Sequence, residues 1–301
     1  MTAAHSLSRL YVQAARDGKA AEMTELIRGL AAFRPAFAGP SGLERAPAPV
    51  PVCRATDAPG LICFPSFLGA GGAQEYARLA RGFRGIRGLS VLPAPGFADG
   101  EPLPADLAAL AGVHGENIRA AAGGAPFVLA GHSSGGLVAH AVASYLEGAG
   151  SAPAGVVLID TASPAVPARV AGSAAPPGGA PPDAGAGAAG GHWSAFAGAA
   201  LARMEQAGQA GDDAWLTAMV HYFSLGWTAL ARTSVPTLLV RASEPMDGAR
   251  EGDDWRPSWN LAAGITVADV PGNHFSMMAE HADTTARAVN EWLAGLTRGI
   301  A

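Results

Sequence analysis

Short apolar runs alternate with stretches of helical periodicity through most of the chain beyond residue 60. The apolar runs span residues 61–64, 89–92, 127–130, 156–159, 235–240 and 265–270. Helical spacing of apolar residues occurs near 73–84, 102–122, 135–148 and 281–297. Continuous apolar strands separated by helices are typical of a mostly parallel sheet that helices cover on both faces. The pattern therefore predicts an α/β fold, with residues 1–301 forming one domain.

Two amphipathic patterns precede the alternating part of the chain. Apolar residues recur every three to four positions over residues 7–14 and again over residues 23–33. Asp17-Gly18 separates the two patterns and Pro35 ends the second. We expect a helical hairpin over residues 5–34. Because so small a hairpin cannot bury both of its apolar faces alone, it must pack on the main body or on a second copy.

One apolar run leads into a motif that is typical of a nucleophilic serine. Residues 127–130 are followed by Gly131-His132-Ser133-Ser134-Gly135-Gly136 and then by a helical pattern. This is G-x-S-x-G between a strand and a helix, as a nucleophile elbow requires. The glycines let strand and helix approach closely around a strained turn, so Ser133 is the predicted nucleophile. His132, at the variable position of the motif, is interpreted as a spacer.

A serine hydroxyl needs a histidine base that an acid orients, in the chain order serine, acid, histidine. His274 is the predicted base because it follows the last predicted strand. The other histidines after the elbow lie on the next helix, in the long gap between strands or at the start of the last helix: His140, His192, His221 and His281.

Carboxylates follow two of the predicted strands and compete for the role of the acid. Asp160 comes directly after residues 156–159, whereas Glu244 and Asp247 follow residues 235–240. A carboxylate at the end of a buried strand is costly to desolvate unless it accepts a hydrogen bond from a group such as a histidine. We therefore favour Asp160. Its alternative role is to cap the next segment.

The mechanism also requires two backbone N–H groups that face the substrate's carbonyl oxygen. One is expected from Ser134, directly after the nucleophile. The other is expected from the loop after residues 61–64, where Phe67 is the predicted donor.

The alternation of strands and helices stops between Ser163 and Val235, and the gap is too long for an ordinary connection. We interpret residues 164–232 as an insertion between the two parts of the core, 45–163 and 233–301. Its first part is nearly all Gly, Ala and Pro, which predicts a loop. Its second part carries aromatic residues on predicted helices and indicates either a lid or an ordinary packed subdomain. Trp193, Tyr222 and Trp227 are the predicted substrate-lining residues.

Composition excludes several classes of function. The chain is 49% hydrophobic and 15% charged, with a formal net charge of −5. An acidic chain has no electrostatic footprint for nucleic acid or for an anionic membrane. Two cysteines build no disulfide framework, no Cys/His spacing matches a zinc site, and no apolar run approaches the length of a membrane span. We expect a soluble, cytoplasmic protein with neither nucleic acid nor membrane as a partner.

These residues resemble the C-terminal thioesterase domains of modular type I polyketide synthases over almost the whole chain. The resemblance rests on the elbow motif, on Asp160 and on three further segments: residues 61–66, 75–80 and 272–278. It implies an α/β-hydrolase fold in which the N-terminal hairpin dimerises and the insertion is a lid. In that family the acid follows the strand after the nucleophile, which supports Asp160.

The resemblance also implies a reaction. Ser133 would take a polyketide chain from the phosphopantetheine arm of an acyl carrier protein of the same synthase. Water or a hydroxyl of the chain would then release a linear acid or a macrolactone. The thioester already carries the activation, so we expect no cofactor and no metal. The alternatives are a stand-alone editing thioesterase, a general serine carboxylesterase and a non-catalytic binding protein on the same fold.

Overall fold

A seven-stranded sheet forms the centre of the protein in a computed structural model that describes residues 6–55, 59–68, 72–164, 212–245, 256–259 and 264–298. The strand order is β2-β4-β3-β6-β7-β8-β9. These strands are β2 (Val50–Cys53), β3 (Gly60–Phe64), β4 (Leu89–Val91), β6 (Phe127–His132), β7 (Gly155–Ile159), β8 (Thr237–Ala242) and β9 (Thr266–Val270). A separate two-stranded pair joins β1 (Ala36–Phe37) to β5 (Leu103–Pro104).

The sheet is parallel except at one edge. All neighbours from β4 to β9 pair in parallel, and β2 pairs with β4 in the antiparallel direction. The six predicted strands are thus confirmed in position. Strand β2 was not predicted, since this edge strand lies in a proline-rich stretch and half of its residues are exposed. Buried on both faces, β7 reads instead as an unbroken apolar run.

Helices cover both faces of the sheet, as the fold class requires. They are α1 (Leu7–Arg16), α2 (Ala20–Ala31), α3 (Leu107–Ala122), α4 (Ser134–Gly148), α5 (Asp213–Phe223) and α6 (Ala282–Arg298). On one face Leu129 packs with side chains of α3, α4 and α5. On the other face its neighbours Val128 and Ala130 pack with side chains of α6. The period-two alternation along β6 thus divides the core into two layers.

The predicted helix over residues 73–84 is wrong in type. The chain forms two short 3₁₀ segments there, Ala73–Tyr76 and Leu79–Phe83. Tyr76, Leu79 and Phe83 are buried at spacings of three and four, and such spacings do not separate a 3₁₀ helix from an α-helix. The segment also approaches α6 so closely that a side chain at Gly82 would overlap Ala286.

The N-terminal hairpin forms as predicted and packs on the main body. Gly18, at φ +73°, supplies the left-handed turn between α1 and α2. Tyr11 and Ile27 are fully buried in the same core cluster as α4 and α5. Four large apolar side chains of the hairpin remain exposed: Leu10, Leu26, Leu30 and Phe33. We call these four residues the hairpin face.

Arg34 joins the end of the hairpin to two other parts of the chain. Its Nη1 donates to the carbonyl oxygen of Ala214 on α5 at 2.7 Å and to the Thr217 hydroxyl at 2.9 Å. Its Nη2 donates to the carbonyl oxygens of Gly96 and Glu101 at 2.6 and 2.8 Å. The guanidinium therefore fixes the hairpin to the second part of the insertion.

The structure describes residues 212–232 of the predicted insertion. Asp212 caps α5 by accepting a hydrogen bond from the Trp215 N–H at 2.8 Å. Trp193 lies outside the described residues. Across the described part of the chain, no helix combines the length and the apolar character that a membrane crossing would need.

Candidate active site

Ser133 lies in the turn between β6 and α4 and has a strained backbone. Its φ is +54° and its ψ is −128°, a region that residues with a side chain rarely adopt. A hydrogen bond from its N–H to the Ile159 carbonyl oxygen, at 2.8 Å, holds this conformation. A Cβ atom at Gly131 would overlap the backbone of Gly135, and one at Gly135 would overlap the Phe64 carbonyl oxygen, so the turn needs both glycines. The predicted strand–turn–helix context of Ser133 is confirmed.

Asp160 and His274 meet at the carboxyl edge of the sheet. Asp160 follows β7 and His274 follows β9, and the two are separated by 114 residues. The Nδ1 of His274 lies 2.7 Å from the Oδ2 of Asp160, and both residues are 8% exposed. The second oxygen, Oδ1, accepts a hydrogen bond from the Ala242 N–H at 3.0 Å. Asp160 also has a positive φ, +46°, which turns its side chain out of the strand direction.

The surroundings set the charge of this pair. Burial opposes ionisation of Asp160, but hydrogen bonds from His274 and from the Ala242 N–H outweigh it and lower its pKa. Burial lowers the pKa of His274 although Asp160 favours the charged ring. The resting pair is therefore a carboxylate and a neutral imidazole whose Nδ1–H donates to it. In that tautomer Nε2 carries no proton, so it is the ring atom that can act as a base.

The other candidates for acid and base lie elsewhere. Glu244 is exposed, and its backbone N–H donates to the Gly272 carbonyl oxygen at 3.0 Å. His140 stacks against Trp259, with ring centroids 5.1 Å apart, and His221 contacts the Pro104 carbonyl oxygen at 2.7 Å. Asp247 and His192 lie outside the described residues.

The two predicted oxyanion donors are neighbours. The N–H of Phe67 donates to the Oγ of Ser134 at 2.9 Å, and both residues are buried. Ser134 is the first residue of α4, where backbone N–H groups have no partner within the helix and the helix dipole favours negative charge. The arrangement places the Phe67 N–H at the N-terminus of α4, where the elbow holds Ser133.

His132 is not a spacer, which corrects the interpretation from the motif. Its Nδ1 lies 2.9 Å from the Oε1 of Glu75 and its Nε2 lies 2.9 Å from the carbonyl oxygen of His274. Its backbone N–H donates to the Tyr76 hydroxyl at 2.9 Å. The only sequence signal for this role was the presence of Glu75-Tyr76 in one of the segments that carry the family resemblance.

The aromatic residues of the insertion pack behind Phe67. The ring centroids of Tyr222 and Trp227 lie 5.0 and 5.7 Å from that of Phe67. The Tyr222 hydroxyl donates to the Pro95 carbonyl oxygen at 2.7 Å, and Trp227 Nε1 donates to the Tyr222 carbonyl oxygen at 2.6 Å. Tyr222 is fully buried and Trp227 is 6% exposed. These contacts support the loop of Phe67, and a role in lining a substrate chamber stays a prediction.

The thiols do not compete with Ser133 as nucleophiles. Cys63 is completely buried in β3, and burial raises its pKa well above the ordinary value, so it stays protonated at neutral pH. The half-buried Cys53 donates to the Arg87 carbonyl oxygen. Among the residues that the structure describes, no three His, Cys, Asp or Glu side chains are grouped so that they could hold a metal ion.

Comparison with known sequences identifies relatives among polyketide synthases. A family model for the thioesterase domain matches residues 59–180. The chain is 42% identical over 300 residues to the spectinabilin polyketide synthase system protein NorC of Streptomyces orinoci, covering 97% of this chain and 12% of that protein. Identity to the erythronolide synthase EryA3 of Saccharopolyspora erythraea is 37% over 295 residues, or 95% of this chain and 8% of that protein. The chain thus spans about a tenth of the length of these curated relatives.

Solved thioesterase domains share the fold. The Vlm2 thioesterase domain, solved with a bound dodecadepsipeptide, matches with a TM-score of 0.58 at 20% identity, covering 81% of this chain and 96% of that chain. The NocB thioesterase domain from the nocardicin cluster matches with a TM-score of 0.55 at 22% identity, covering 78% and 93%. The chain has an α/β-hydrolase fold and belongs to the family of thioesterase domains found in modular polyketide synthases.

Proposed function

We propose that this domain releases an acyl chain from a carrier protein through an acyl-enzyme on Ser133. The observation that carries the proposal is the 2.7 Å contact between His274 and Asp160 at the same sheet edge as the strained turn of Ser133. A base held in one tautomer beside a nucleophile elbow is suited to acyl transfer.

In the first step Ser133 attacks the carbonyl carbon of the thioester. His274 takes the hydroxyl proton on Nε2, and Asp160 stabilises the imidazolium that forms. Charge develops on the carbonyl oxygen, which would accept from the Ser134 N–H and from the Phe67 N–H, the latter in exchange for its resting bond to the Ser134 Oγ. Collapse of the tetrahedral intermediate breaks the C–S bond, and His274 returns its proton to the leaving thiolate.

In the second step an oxygen nucleophile attacks the acyl-enzyme. His274 removes a proton from water or from a hydroxyl of the acyl chain, and the same N–H groups receive the charge. Collapse breaks the bond to Ser133 Oγ, which regains its proton from His274. The product is a carboxylic acid with water and a lactone with an internal hydroxyl. No redox change occurs and the thioester is already activated, so these steps require no cofactor.

The relatives support a proposal for the substrate and for one partner. Two of the matching curated proteins are named as polyketide synthases, so the proposed substrate is a polyketide chain on the phosphopantetheine arm of an acyl carrier protein in the same synthase. We also propose that a second copy of the domain covers the hairpin face. The support is the exposure of four large apolar side chains on one small hairpin, since grouped apolar side chains at a surface often mark a site of protein association.

Covalent labelling together with a substrate panel tests the function. Wild-type protein should form one adduct with a serine-directed fluorophosphonate and should turn over acyl thioesters faster than matched oxygen esters. Ser133→Ala should abolish both signals, whereas Ser224→Ala, at an exposed serine after α5, should leave them unchanged. An adduct on another residue would refute the assignment of Ser133. Faster turnover of oxygen esters would favour a carboxylesterase. A preference for short, aberrant acyl chains would favour an editing thioesterase.

A further inference from the structure

The side chain of His132 bridges the two loops that the reaction needs. His132 ends β6 and is 5% exposed. One ring nitrogen contacts Glu75 Oε1 and the other contacts the carbonyl oxygen of His274, both at 2.9 Å. The His132 and His274 rings lie 4.7 Å apart between centroids, at an interplanar angle of 35°. The residue before the nucleophile thus contacts the loop that carries the base.

The hydrogen-bond partners of His132 define its charge. A carbonyl oxygen and an ionised carboxylate both only accept hydrogen bonds, whereas a neutral imidazole has a single N–H. Both ring nitrogens of His132 donate only when the ring is an imidazolium. Burial opposes that charge, but the hydrogen bond and the charge of Glu75 outweigh it and raise the pKa of His132. Glu75, which is partly buried, and the buried His132 therefore form an ion pair.

Glu75 extends the same network to the loop of the oxyanion donor. Its second oxygen, Oε2, accepts a hydrogen bond from the Ser66 N–H at 2.9 Å, one residue before Phe67. The adjacent residue acts in parallel: the Tyr76 hydroxyl donates to the Phe64 carbonyl oxygen at 2.6 Å. Two consecutive residues of a 3₁₀ segment thus fix that loop at two points and hold His132 by its ring and its backbone.

We infer that the ion pair of Glu75 and His132 positions the active site, by fixing the loop of the oxyanion donor Phe67 and the loop of the base His274 in one arrangement. The inference rests on the proposed function. Neither member of the pair needs to touch the reacting atoms, so both are positioning residues. Asp160 accepts a hydrogen bond from the His274 ring, and His132 donates one to the His274 carbonyl oxygen. Together these contacts restrict the position and orientation of the imidazole.

The charge of the pair has a second effect, on the basicity of His274. The titratable groups around His132 are Glu75, Tyr76, Asp160 and His274. A positive charge on His132 disfavours a second positive charge on the His274 ring and acts with burial to lower the pKa of His274, against the opposite effect of Asp160 and Glu75. Loss of that charge should therefore raise the pKa of His274.

Variants of Glu75 separate positioning from general stability. Glu75→Gln can donate to a neutral His132 ring and accept from the Ser66 N–H, so both hydrogen bonds survive. Glu75→Ala loses both. We expect Glu75→Ala to slow fluorophosphonate labelling of Ser133 on the order of 10²-fold, since a displacement of about 1 Å has that effect, and Glu75→Gln to keep most of the rate. Because Glu75 and His132 act through one contact, their losses should not add. The double variant Glu75→Ala/His132→Ala should therefore be labelled no more slowly than the more impaired of the two single variants.

A control and a pH profile complete the experiment. Glu147→Ala removes a carboxylate that accepts hydrogen bonds from Thr233 and Ser234 at the far end of α4, and should lower the melting temperature without slowing labelling. His132→Gln should move the acidic limb of the labelling rate to higher pH.

Two results would overturn the inference: additive losses in the double variant, or equal labelling rates for the Glu75→Ala and Glu147→Ala variants. An acidic limb that does not move in His132→Gln would contradict the ion pair. Labelling of wild-type Ser133 without turnover of any acyl thioester would instead refute the proposed function, and the labelling rates would still decide the inference.

Discussion

Polar side chains are buried at the carboxyl edge of the sheet, whereas large apolar side chains are exposed on the hairpin face. At the sheet edge Asp160 and His274 are each 8% exposed and hydrogen-bonded. On the hairpin face Leu26 is 57% exposed and Phe33 is 89% exposed. Both arrangements raise the free energy of an isolated domain, since buried charge and exposed apolar surface are each unfavourable. Hydrogen bonds within the chain offset the first cost. The second copy that we propose would offset the second cost.

The strongest test of the sheet edge removes the charge of Asp160. Asp160→Asn keeps the size of the side chain but allows the wrong tautomer of His274, so kcat should fall by about 10³ to 10⁴. The matched controls are the other carboxylates considered from the sequence, Glu244→Gln and Asp247→Asn, which should leave kcat nearly unchanged. Steady-state kinetics on one acyl thioester decides the matter. If Asp247→Asn lowered kcat strongly and Asp160→Asn lowered it only mildly, the acid would be Asp247, after the next strand.

The pH dependence of activity tests the charge state of the same pair. Protonated His274 cannot accept the Ser133 proton, so kcat/KM should fall on acidification through the pKa of His274. Burial lowers that pKa, so the acidic limb should lie below 6.5, with about a tenfold loss per pH unit beneath it. Asp160→Asn removes a group that raises this pKa and should move the limb of the residual activity lower still. An acidic limb above pH 6.5 in the wild-type protein would show that Asp160 affects the pKa of His274 more strongly than burial does.

Polar substitutions on the hairpin face test whether a second copy covers it. Leu26→Glu with Phe33→Ser should convert a dimer to a monomer in sedimentation or light scattering at several concentrations. Because both side chains are exposed, the free energy of unfolding of the monomer should change by only about 0.5 kcal/mol per site. Ile86→Ser, at a 47% exposed residue outside the hairpin, should leave the dimer intact. A monomeric wild-type protein would refute the dimer.

The smallest expected effect concerns the aromatic residues behind Phe67. Tyr222→Phe removes the hydroxyl that donates to the Pro95 carbonyl oxygen and should cost about 1 kcal/mol of unfolding free energy. Tyr145→Phe, which loses a hydrogen bond to Glu116 away from the site, is the control for stability alone. Denaturant unfolding measures both. A changed preference between long and short acyl thioesters in Tyr222→Phe alone would show that this residue lines the chamber.

Local signals explain which elements were predictable. The buried strands appear in the sequence because each face of the sheet is covered, which makes every position apolar. Strand β2 escaped prediction because prolines interrupt its apolar residues. Strand β9 is also a largely exposed edge strand, but it was predicted because it keeps the run over residues 265–270. The elbow was predictable because G-x-S-x-G, a strand and a helix occupy adjacent positions in the chain. The two 3₁₀ segments were predicted only as one helical pattern because apolar residues have nearly the same spacing in a 3₁₀ helix and an α-helix.

The role of His132 could not be predicted from the sequence, for a different reason. Its two partners are 57 and 142 residues away, and one of them is a backbone carbonyl group that any residue would supply. Nothing in the neighbouring residues distinguishes a paired histidine at the variable motif position from an unpaired one. Asp160 was easier to predict because a carboxylate buried at the end of an apolar strand is costly unless it has a hydrogen-bond partner.

By itself the sequence determined the α/β class, the helical hairpin, the nucleophile elbow at Ser133 and the two residues, Asp160 and His274, that follow later strands. These features depend on periodicity, on backbone conformation at glycines and on the cost of burying charge, all of which act locally. Tertiary structure alone decided that Asp160 and His274 lie 2.7 Å apart and that Glu75 and His132 join the loops around them. It alone left the hairpin face uncovered. Those outcomes depend on which distant segments the sheet brings together, and no local pattern records that pairing.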